Sequence, residues 1–266
     1  MKARIKFSKT GSMKFIGHLD VMRYFQKAIR RSGIAISYSQ GFNPHQLISF
    51  AAPLGVGLTS DAEYMDIQLE TSYKPEEFVQ CINEVMNDEI KVRSYAELEE
   101  GSKTAMSVVA AADYCISIKD GYEFPENYKQ LFENFLTQEQ IMMVKKTKKS
   151  EKEVDIRPYI YHVEYTEQLF SEKIGHPFED TVAETYENGK KIYMQITTGS
   201  VVNIKPELVM QAFCQFAGVT YEPFAYQIHR MEVYVDQNGD SKCDPKEYGK
   251  NRKLIPLEKY GCRIEG

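Results

Sequence analysis

The strongest constraint on the fold is the order in which strand-like and helix-like patterns alternate along the first half of the chain. Polar and apolar residues alternate over 3–8, as in a half-buried strand, and from His18 to Ser32 apolar residues recur every three to four positions, as on a helix face. The inward residues of that helix are expected to be Leu19, Met22, Phe25 and Ile29. Further strands are expected at 34–38, 47–52, 62–70 and 90–96, with a helix from Pro75 to about Asn87. This order is β-α-β-β-α-β.

The second half repeats the order. Its segments are a strand at 114–118, a helix at 125–136, a strand from Ile141 through the lysines of 145–149, a strand at 191–197, a helix at 206–216 and a strand at 226–235. Two passes of one order predict an α+β fold of two tandem ferredoxin-like (βαββαβ) units with antiparallel sheets. The expected domains are residues 1–98, residues 108–236 with an insertion at 150–190, and a loop-like tail at 237–266.

Composition is that of a globular protein with a buried core. Hydrophobic residues make up 42% and charged residues 27% of the 266 positions. Because no apolar run reaches 18 residues and no signal peptide is recognisable, we expect a cytoplasmic protein without a membrane partner. The cysteines are scattered at Cys81, Cys115, Cys214, Cys243 and Cys262. Since they lack metal-binding spacing, we expect no metal site, no iron–sulfur cluster and no cofactor.

Positive charge is concentrated at the beginning of the chain. The first fifty residues carry nine Lys or Arg and one acid, Asp20, whereas the remainder has a net charge of −13. Within the first helix, the cations fall at offsets 0, 4, 7 and 8, and they are Arg23, Lys27, Arg30 and Arg31. This spacing forms one basic stripe that contains no acid. Such a stripe suits a phosphate backbone, although a solvated helix face is an equally ordinary interpretation.

A loop rich in aromatic residues follows that helix. Residues 38–45 contain three rings on which a base can stack, Tyr38, Phe42 and His45, and Asn43 offers hydrogen bonds to a base. Gly41 permits a left-handed bend there. The alternative is that Phe42 simply covers the hydrophobic side of the sheet. The sequence therefore predicts either a nucleic-acid contact or a hydrophobic plug.

Weaker candidates for chemistry lie nearby. His18, Asp20 and His45 together offer a general acid and base for RNA cleavage, but Asp20 also complements the helix dipole, and a histidine at a helix start often caps or packs. Downstream, Arg157 can clamp a phosphate in a bidentate way, or it can form a structural strand pair with Asp155.

A calcium-loop pattern is also present at 236–247. Its acidic and amide positions fit, but Ser241 replaces the required glycine at position six. Asn238-Gly239 instead predicts a hairpin turn.

A longer set of motifs resembles a known family. The motifs are His18-Leu19-Asp20-x-x-Arg23-Tyr24-Phe25-x-x-Ala28-x-Arg30-Arg31-Ser32-Gly33, Tyr38-Ser39-x-Gly41-Phe42-Asn43-Pro44-His45, Ser49-Phe50-Ala51-x-Pro53-Leu54-x-Val56-Gly57, Glu63-Tyr64-x-Asp66 and Glu153-Val154-Asp155-Ile156-Arg157-Pro158. They resemble the radical-SAM-linked protein family, an uncharacterised bacterial family whose members are fused to, or encoded beside, a radical SAM protein. Gln46 and Leu47 depart from the proline- and arginine-bearing loop of that family. The resemblance implies a radical SAM protein as partner and RNA or ribosome-linked work.

Three hypotheses follow. The first is a non-catalytic RNA-binding protein that presents substrate to a separate radical SAM enzyme. The second is an RNA-processing or RNA-modifying enzyme that uses His18, Asp20 and His45. The third is a protein–protein adaptor that does not bind nucleic acid and makes its contact through Phe42 and the acidic second half.

Overall fold

The computed structural model describes residues 1–146, 151–178, 181–199, 202–238 and 252–263. In these ranges the strands are β1 Lys2–Lys9, β2 Ile48–Phe50, β3 Thr59–Gln68, β4 Ile90–Glu97, β5 Val109–Ile118, β6 Met142–Lys146, β7 Glu151–Asp155, β8 Ile160–Glu164, β9 Lys191–Thr197, β10 Tyr226–Asp236 and β11 Leu254–Pro256. The α-helices are α1 His18–Ser32, α2 Pro75–Asn83, α3 Ala105–Val108, α4 Tyr128–Leu136, α5 Glu167–Ile174 and α6 Pro206–Ala217.

One large sheet organises the molecule. Its strand order is β4-β1-β3-β10-β5-β9-β8, with β2 paired to β3 and β11 paired to β10. Neighbouring strands are antiparallel except for β3 and β10, which run parallel. Alternating strands and helices with a mostly antiparallel sheet confirm the coarse architecture predicted from the sequence.

Hydrophobic clusters hold the helices against the sheet. In the first half, α1 and α2 pack on β1, β3 and β4, and Phe7 meets Phe25 edge to face with 4.7 Å between ring centroids. In the second half, α4 and α6 pack on β5 and β9, and Phe132 stacks on Phe213 at 4.5 Å. Each half therefore buries aromatic residues against the sheet, and Ala51, Ala62 and Tyr64 of the first half join the cluster of the second.

The backbone pairing between the halves is short, and polar side chains reinforce it. Backbone pairing of β3 with β10 covers two residue pairs, Thr59 with His229 and Ser60 with Arg230. Ser60 Oγ donates to the Arg230 carbonyl at 3.0 Å, and the Arg230 guanidinium donates to Glu63 Oε1 at 2.9 Å. A further guanidinium nitrogen of Arg230 reaches the carbonyl of Ala52 at 2.6 Å. Side-chain hydrogen bonds thus extend the contact between β3 and β10 beyond the two residue pairs that the backbone joins.

The predicted inward face of α1 is wrong at Leu19. That side chain is 60% exposed, whereas Val21, Phe25, Ala28 and Ile29 are buried. The buried face is centred on Phe25, Ala28 and Ile29, which are fully buried, and Val21 rather than Leu19 continues it. The next helix, α2, is also shorter than predicted and ends at Asn83 rather than near Asn87.

The predicted lysine-rich strand lies outside the large sheet. Among the described strands, β6 pairs with β7 in a separate two-stranded sheet, and β9 lies between β5 and β8, which falls within the expected insertion at 150–190. β8 supplies Ile160, which is buried against the core, while the lysines of β6 favour a solvated hairpin. Residues 147–150 lie outside the described ranges.

The tail, expected to be loop-like, contains regular structure in its described residues 252–263. β11 pairs with β10, and Leu257 is fully buried. Arg4, buried in β1 and paired with Asp66 at 2.8 Å, donates to the carbonyls of Leu257 at 3.1 Å and Tyr260 at 2.9 Å. Arg4 holds the tail through backbone carbonyls, which every residue type carries. The contact therefore produces no periodic pattern of apolar side chains in the tail, and the sequence does not reveal it.

Replacing Arg230 tests whether its ion pair holds the two halves together. Arg230→Met keeps much of the apolar stem of the side chain but removes the guanidinium, and so leaves the Glu63 carboxylate buried without its main charge partner. We expect the free energy of unfolding in urea to fall by about 3–5 kcal/mol. The control is Arg263→Met, which removes a more exposed pair with Glu97 and should change stability by less than about 1 kcal/mol. Equal losses in the two variants would contradict this role.

Candidate functional site

Helix α1 presents its cations on the side opposite the buried core. The helix begins after Gly17 and is capped at its end by Gly33, whose φ of +74° favours glycine. Arg23, Lys27 and Arg30 are exposed, one to two turns apart on the surface. The sequence pattern indicated a stripe without an acid. In the structure, however, Asp20 pairs with Arg23 at 3.1 Å. This exposed pair is weak, so it leaves the guanidinium available to another anion.

Two of the predicted cations also contact the backbone. Arg30 Nε donates to the carbonyl of Gln26 at 3.3 Å. The Arg31 guanidinium donates to the carbonyl of Val85, just beyond α2. Arg31 thus helps to join the two helices, while Arg23, Lys27 and Arg30 make up the outer part of the stripe.

The loop 38–45 is a closed turn. Ser39 N–H donates to the His45 carbonyl at 2.8 Å, and Ser39 Oγ lies 2.8 Å from His45 Nδ1 and accepts from His45 N–H at 3.0 Å. Tyr38 and Gln46 pair as an isolated bridge at the base of the turn. Gly41 adopts a φ of +113° at the tip, a conformation that side chains disfavour. The loop is therefore shaped before any ligand arrives.

The rings of this loop face solvent. Phe42 is fully exposed and Tyr38 is 43% exposed, so the hydrophobic-plug interpretation of Phe42 is wrong. Asn43 is exposed as well. Gln46 Nε2 donates to the carbonyl of Gln26 on α1 at 3.3 Å, which ties the loop to the helix. We call the surface formed by Arg23, Lys27, Arg30, Tyr38 and Phe42 the α1–loop surface.

Each weak catalytic candidate already has a structural partner. The His18 ring packs edge-on against Phe50, with 4.9 Å between centroids. Asp20 pairs with Arg23, and His45 Nδ1 is engaged by Ser39. In this arrangement the three side chains stabilise the helix start and the loop.

The structure places Arg157 away from the α1–loop surface. Its Nε donates to the carbonyl of Leu136 at 2.8 Å, the last residue of α4, and another nitrogen donates to the carbonyl of Ile160 at 3.2 Å. The alternative strand pair with Asp155 is wrong, because Asp155 Oδ1 instead accepts from the backbone N–H groups of Ile141 and Arg157. Arg157 caps a helix end, as a cation near unsatisfied carbonyls does.

Most of the calcium-loop pattern lies outside the described residues. Of 236–247, the structure describes Asp236 to Asn238, and Asp236 Oδ1 accepts from the backbone N–H groups of Asn238 and Lys253. Within the described part of the chain, no three His, Cys, Asp or Glu side chains are grouped closely enough to hold a metal. In the same ranges, no helix is both long enough and apolar enough to cross a membrane.

Sequence reasoning missed a charged cleft of about 460 Å³ beside the connection between the halves. Lys6 Nζ lies 2.7 Å from Glu232, which also accepts from Tyr64 Oη at 2.6 Å. Burial by itself lowers the pKa of Lys6, but the charges of Glu232 and Glu258 outweigh it and the pKa is raised. His176 Nε2 lies 3.9 Å from Glu232, and burial lowers the pKa of this imidazole.

A second buried carboxyl lies close to this cleft. Asp113 accepts from Tyr234 Oη at 2.5 Å on the strand pair β5–β10. Burial raises the pKa of Asp113 to about 8, more than the hydrogen bonds from Tyr234 and Gln195 lower it, and Glu232 raises it further. The only signal in the sequence was a charged residue at an inward strand position, because its partners lie more than eighty residues away.

These features define a mixed α/β protein with an exposed cationic helix beside a preformed aromatic loop. The family model described as "Uncharacterized protein conserved in bacteria (DUF2344)" matches residues 2–206, and the chain belongs to that family. A search of curated proteins found no match. Among solved structures, a chain of the "Crystal Structure of a Cbf5-Nop10-Gar1 Complex" aligns with a TM-score of 0.43 and 8% identity, over 97% of this chain and 60% of that chain. We draw no functional conclusion from a likeness at that level.

The protonated state of Asp113 predicts a pH dependence of stability. Because its folded pKa is about 8 against 3.8 when unfolded, the folded state holds a proton that the unfolded state loses between these values. This group therefore destabilises the fold by about 1.4 kcal/mol per pH unit as pH rises from 5 to 7. Asp113→Asn removes this titration. The free energy of unfolding of the variant, relative to that of the unsubstituted protein, should therefore increase by about 1.4 kcal/mol per pH unit over the same range. Urea unfolding at pH 5, 6 and 7 measures the difference, and parallel profiles would refute it.

Proposed function

We propose that the chain is an RNA-binding accessory protein that works with a separate radical SAM enzyme and is not itself the catalyst. The observation that carries the proposal is the α1–loop surface, where exposed cations and exposed rings lie on two segments joined by the bond from Gln46 to Gln26. Phosphates bind cations regardless of base identity, and bases stack on aromatic rings. The two kinds of contact together suit single-stranded RNA.

The spacing of the cations supports a backbone contact. At about 1.5 Å rise per residue, Arg23 and Arg30 are separated by roughly 10 Å along the helix axis, with Lys27 between them. The three heads therefore form a short row rather than a point. A row of cations can follow successive phosphates, whereas a single compact anion would use only one or two of them.

Binding is favoured over catalysis at this surface. His18, Asp20 and His45 each serve a local contact, with Phe50, Arg23 and Ser39. The alternative of an RNA-processing enzyme requires His18 and His45 to exchange those contacts for substrate. The adaptor alternative draws on the exposed Phe42, but it gives no use to the neighbouring cations.

The finer fold proposal is that each half is a ferredoxin-like unit, with domain boundaries near 1–98 and 108–236. The strand orders β4-β1-β3-β2 and β10-β5-β9-β8 support it, since each follows one order with antiparallel neighbours. The proposed partner rests on the family resemblance: a radical SAM protein would supply the chemistry, and this chain would hold the RNA or ribosome-linked substrate in the cytoplasm.

Removing the three outer cations tests the phosphate contact. Arg23→Ala/Lys27→Ala/Arg30→Ala should weaken binding of single-stranded RNA and reduce the slope of log affinity against log salt by about 2, since each phosphate contributes roughly 0.7. Fluorescence anisotropy at several salt concentrations measures both effects. The matched control is Lys74→Ala/Lys152→Ala/Lys173→Ala, three exposed lysines outside the surface. An equal loss in both triple variants would point to net charge alone.

Truncating Phe42 tests the stacking contact separately. Since Phe42 is fully exposed, Phe42→Ala should leave the thermal unfolding temperature unchanged. RNA affinity should fall about fivefold to a hundredfold, because stacking contributes roughly 1–3 kcal/mol per base. Phe224→Ala, which truncates another exposed ring, is the control and should keep full affinity. Unchanged binding by Phe42→Ala would remove base stacking from the proposal.

A further inference from the structure

A small cavity lies between the two halves, on neither the α1–loop surface nor the charged cleft. Its walls come mainly from residues within 51–58 of the first half and from residues 198–199 and 203–207 of the second. The volume is about 210 Å³. Ligand sites favour such positions between domains, and pockets for drug-sized molecules usually hold roughly 300–1,000 Å³. The cavity therefore suits a single ring system.

Two buried polar atoms in the lining lack a hydrogen-bond partner among the described residues. They are Oγ1 of Thr198 and Oε2 of Glu207. Thr198 is only 4% exposed. An unpaired buried polar atom is costly and is rare in native proteins, so it indicates a missing partner. Both residues line the same cavity.

The other walls are mostly apolar, with Asn203 and Lys205 as further polar residues in the lining. Leu54 and Leu58 come from the first half, and Met106 and Tyr114 from the second. Met106 is half exposed at the mouth, and a thioether beside an aromatic ring packs well against flat, polarizable groups. Arg230 also lines the cavity, but its guanidinium is held by Glu63 and the Ala52 carbonyl. The cavity thus offers largely apolar sides together with the unpaired acceptors of Thr198 and Glu207.

The carboxylate of Glu207 determines which charge a ligand in the cavity can carry. A helix N-terminus such as that of α6 usually favours an anion, but here Glu207 places a carboxylate in the first turn. Glu207 Oε2 is buried, whereas Lys205, the neighbouring cation in the lining, is exposed to solvent, so a phosphate or carboxylate inside the cavity would be repelled by the Glu207 carboxylate. A neutral ring with N–H donors on its edge would instead satisfy Glu207, and the hydroxyl of Thr198 can accept or donate.

We propose that this cavity binds a nucleobase that carries an amino group, inserted edge-first toward Thr198 and Glu207. The choice of a nucleobase among flat amino-bearing rings rests on the proposed RNA function. The geometry of the cavity does not depend on it. An unpaired base of an RNA held at the α1–loop surface is the natural source of such a ring, but the free nucleoside has the same recognition edge.

Free nucleosides test the cavity without phosphates. We would titrate the full chain with guanosine, adenosine, cytidine and uridine and follow binding by saturation-transfer NMR. At least one amino-bearing nucleoside should bind about tenfold or more tightly than uridine, because a lost hydrogen bond to a charged group costs at least that factor. Absence of binding by all four, or equal binding by all four, would overturn the proposal and leave the unpaired atoms to water.

Isosteric variants locate the contact. Thr198→Val and Glu207→Gln should each weaken the bound nucleoside about tenfold, while Glu139→Gln, an exposed control, should not. Thr198→Val should not lower the unfolding temperature, since its hydroxyl has no partner among the described residues. Unchanged affinity in both cavity variants would overturn the assignment.

The two proposals fail separately. The triple variant of Arg23, Lys27 and Arg30 should keep nucleoside binding. If the unsubstituted chain binds nucleosides but not RNA, this inference stands and the proposed function is refuted. If it binds RNA but not nucleosides, the proposed function stands and this inference is refuted.

Discussion

The arrangement of the whole molecule depends on the polar connection between β3 and β10. Two pairs of backbone partners are too few to hold two halves in register, since each net hydrogen bond stabilises by only about 1 kcal/mol. Buried side chains complete the connection: Arg230 binds Glu63, and His229 lies 2.9 Å from Thr59 and 2.7 Å from Asp61. Such groups are stable only when they are paired with each other, so the connection specifies one register.

This connection determines where the functional candidates lie. It sets the segment 51–58 against the start of α6 and so creates the cavity lined by Thr198 and Glu207. The charged cleft around Lys6 and Glu232 forms beside the same strands. The α1–loop surface, in contrast, belongs wholly to the first half. Its shape depends on local contacts, chiefly those between Ser39 and His45.

The energetic importance of an ion pair in this molecule depends on whether it is buried in the sheet or exposed on α1. Ion pairs at the sheet centre are shielded from water, and their loss leaves an uncompensated charge in the interior. The pair of Asp20 and Arg23 on α1 is exposed and contributes little to stability. Cations on α1 can therefore exchange partners with a ligand, whereas Arg4 and Arg230 cannot do so without disrupting the sheet.

The sequence by itself determined the alternation of strands and helices, the existence of α1 and α6, the cationic stripe and the aromatic loop, because these depend on periodicity and on neighbours close along the chain. It did not reveal β8 as the partner of β9, the capping role of Arg157, or the packing of the tail under Arg4. Nor did it reveal the cluster of Lys6 and Glu232. Only the tertiary structure decided these, since each joins groups far apart in sequence, and a charged side chain in a strand has the same local pattern whether it faces water or a buried partner.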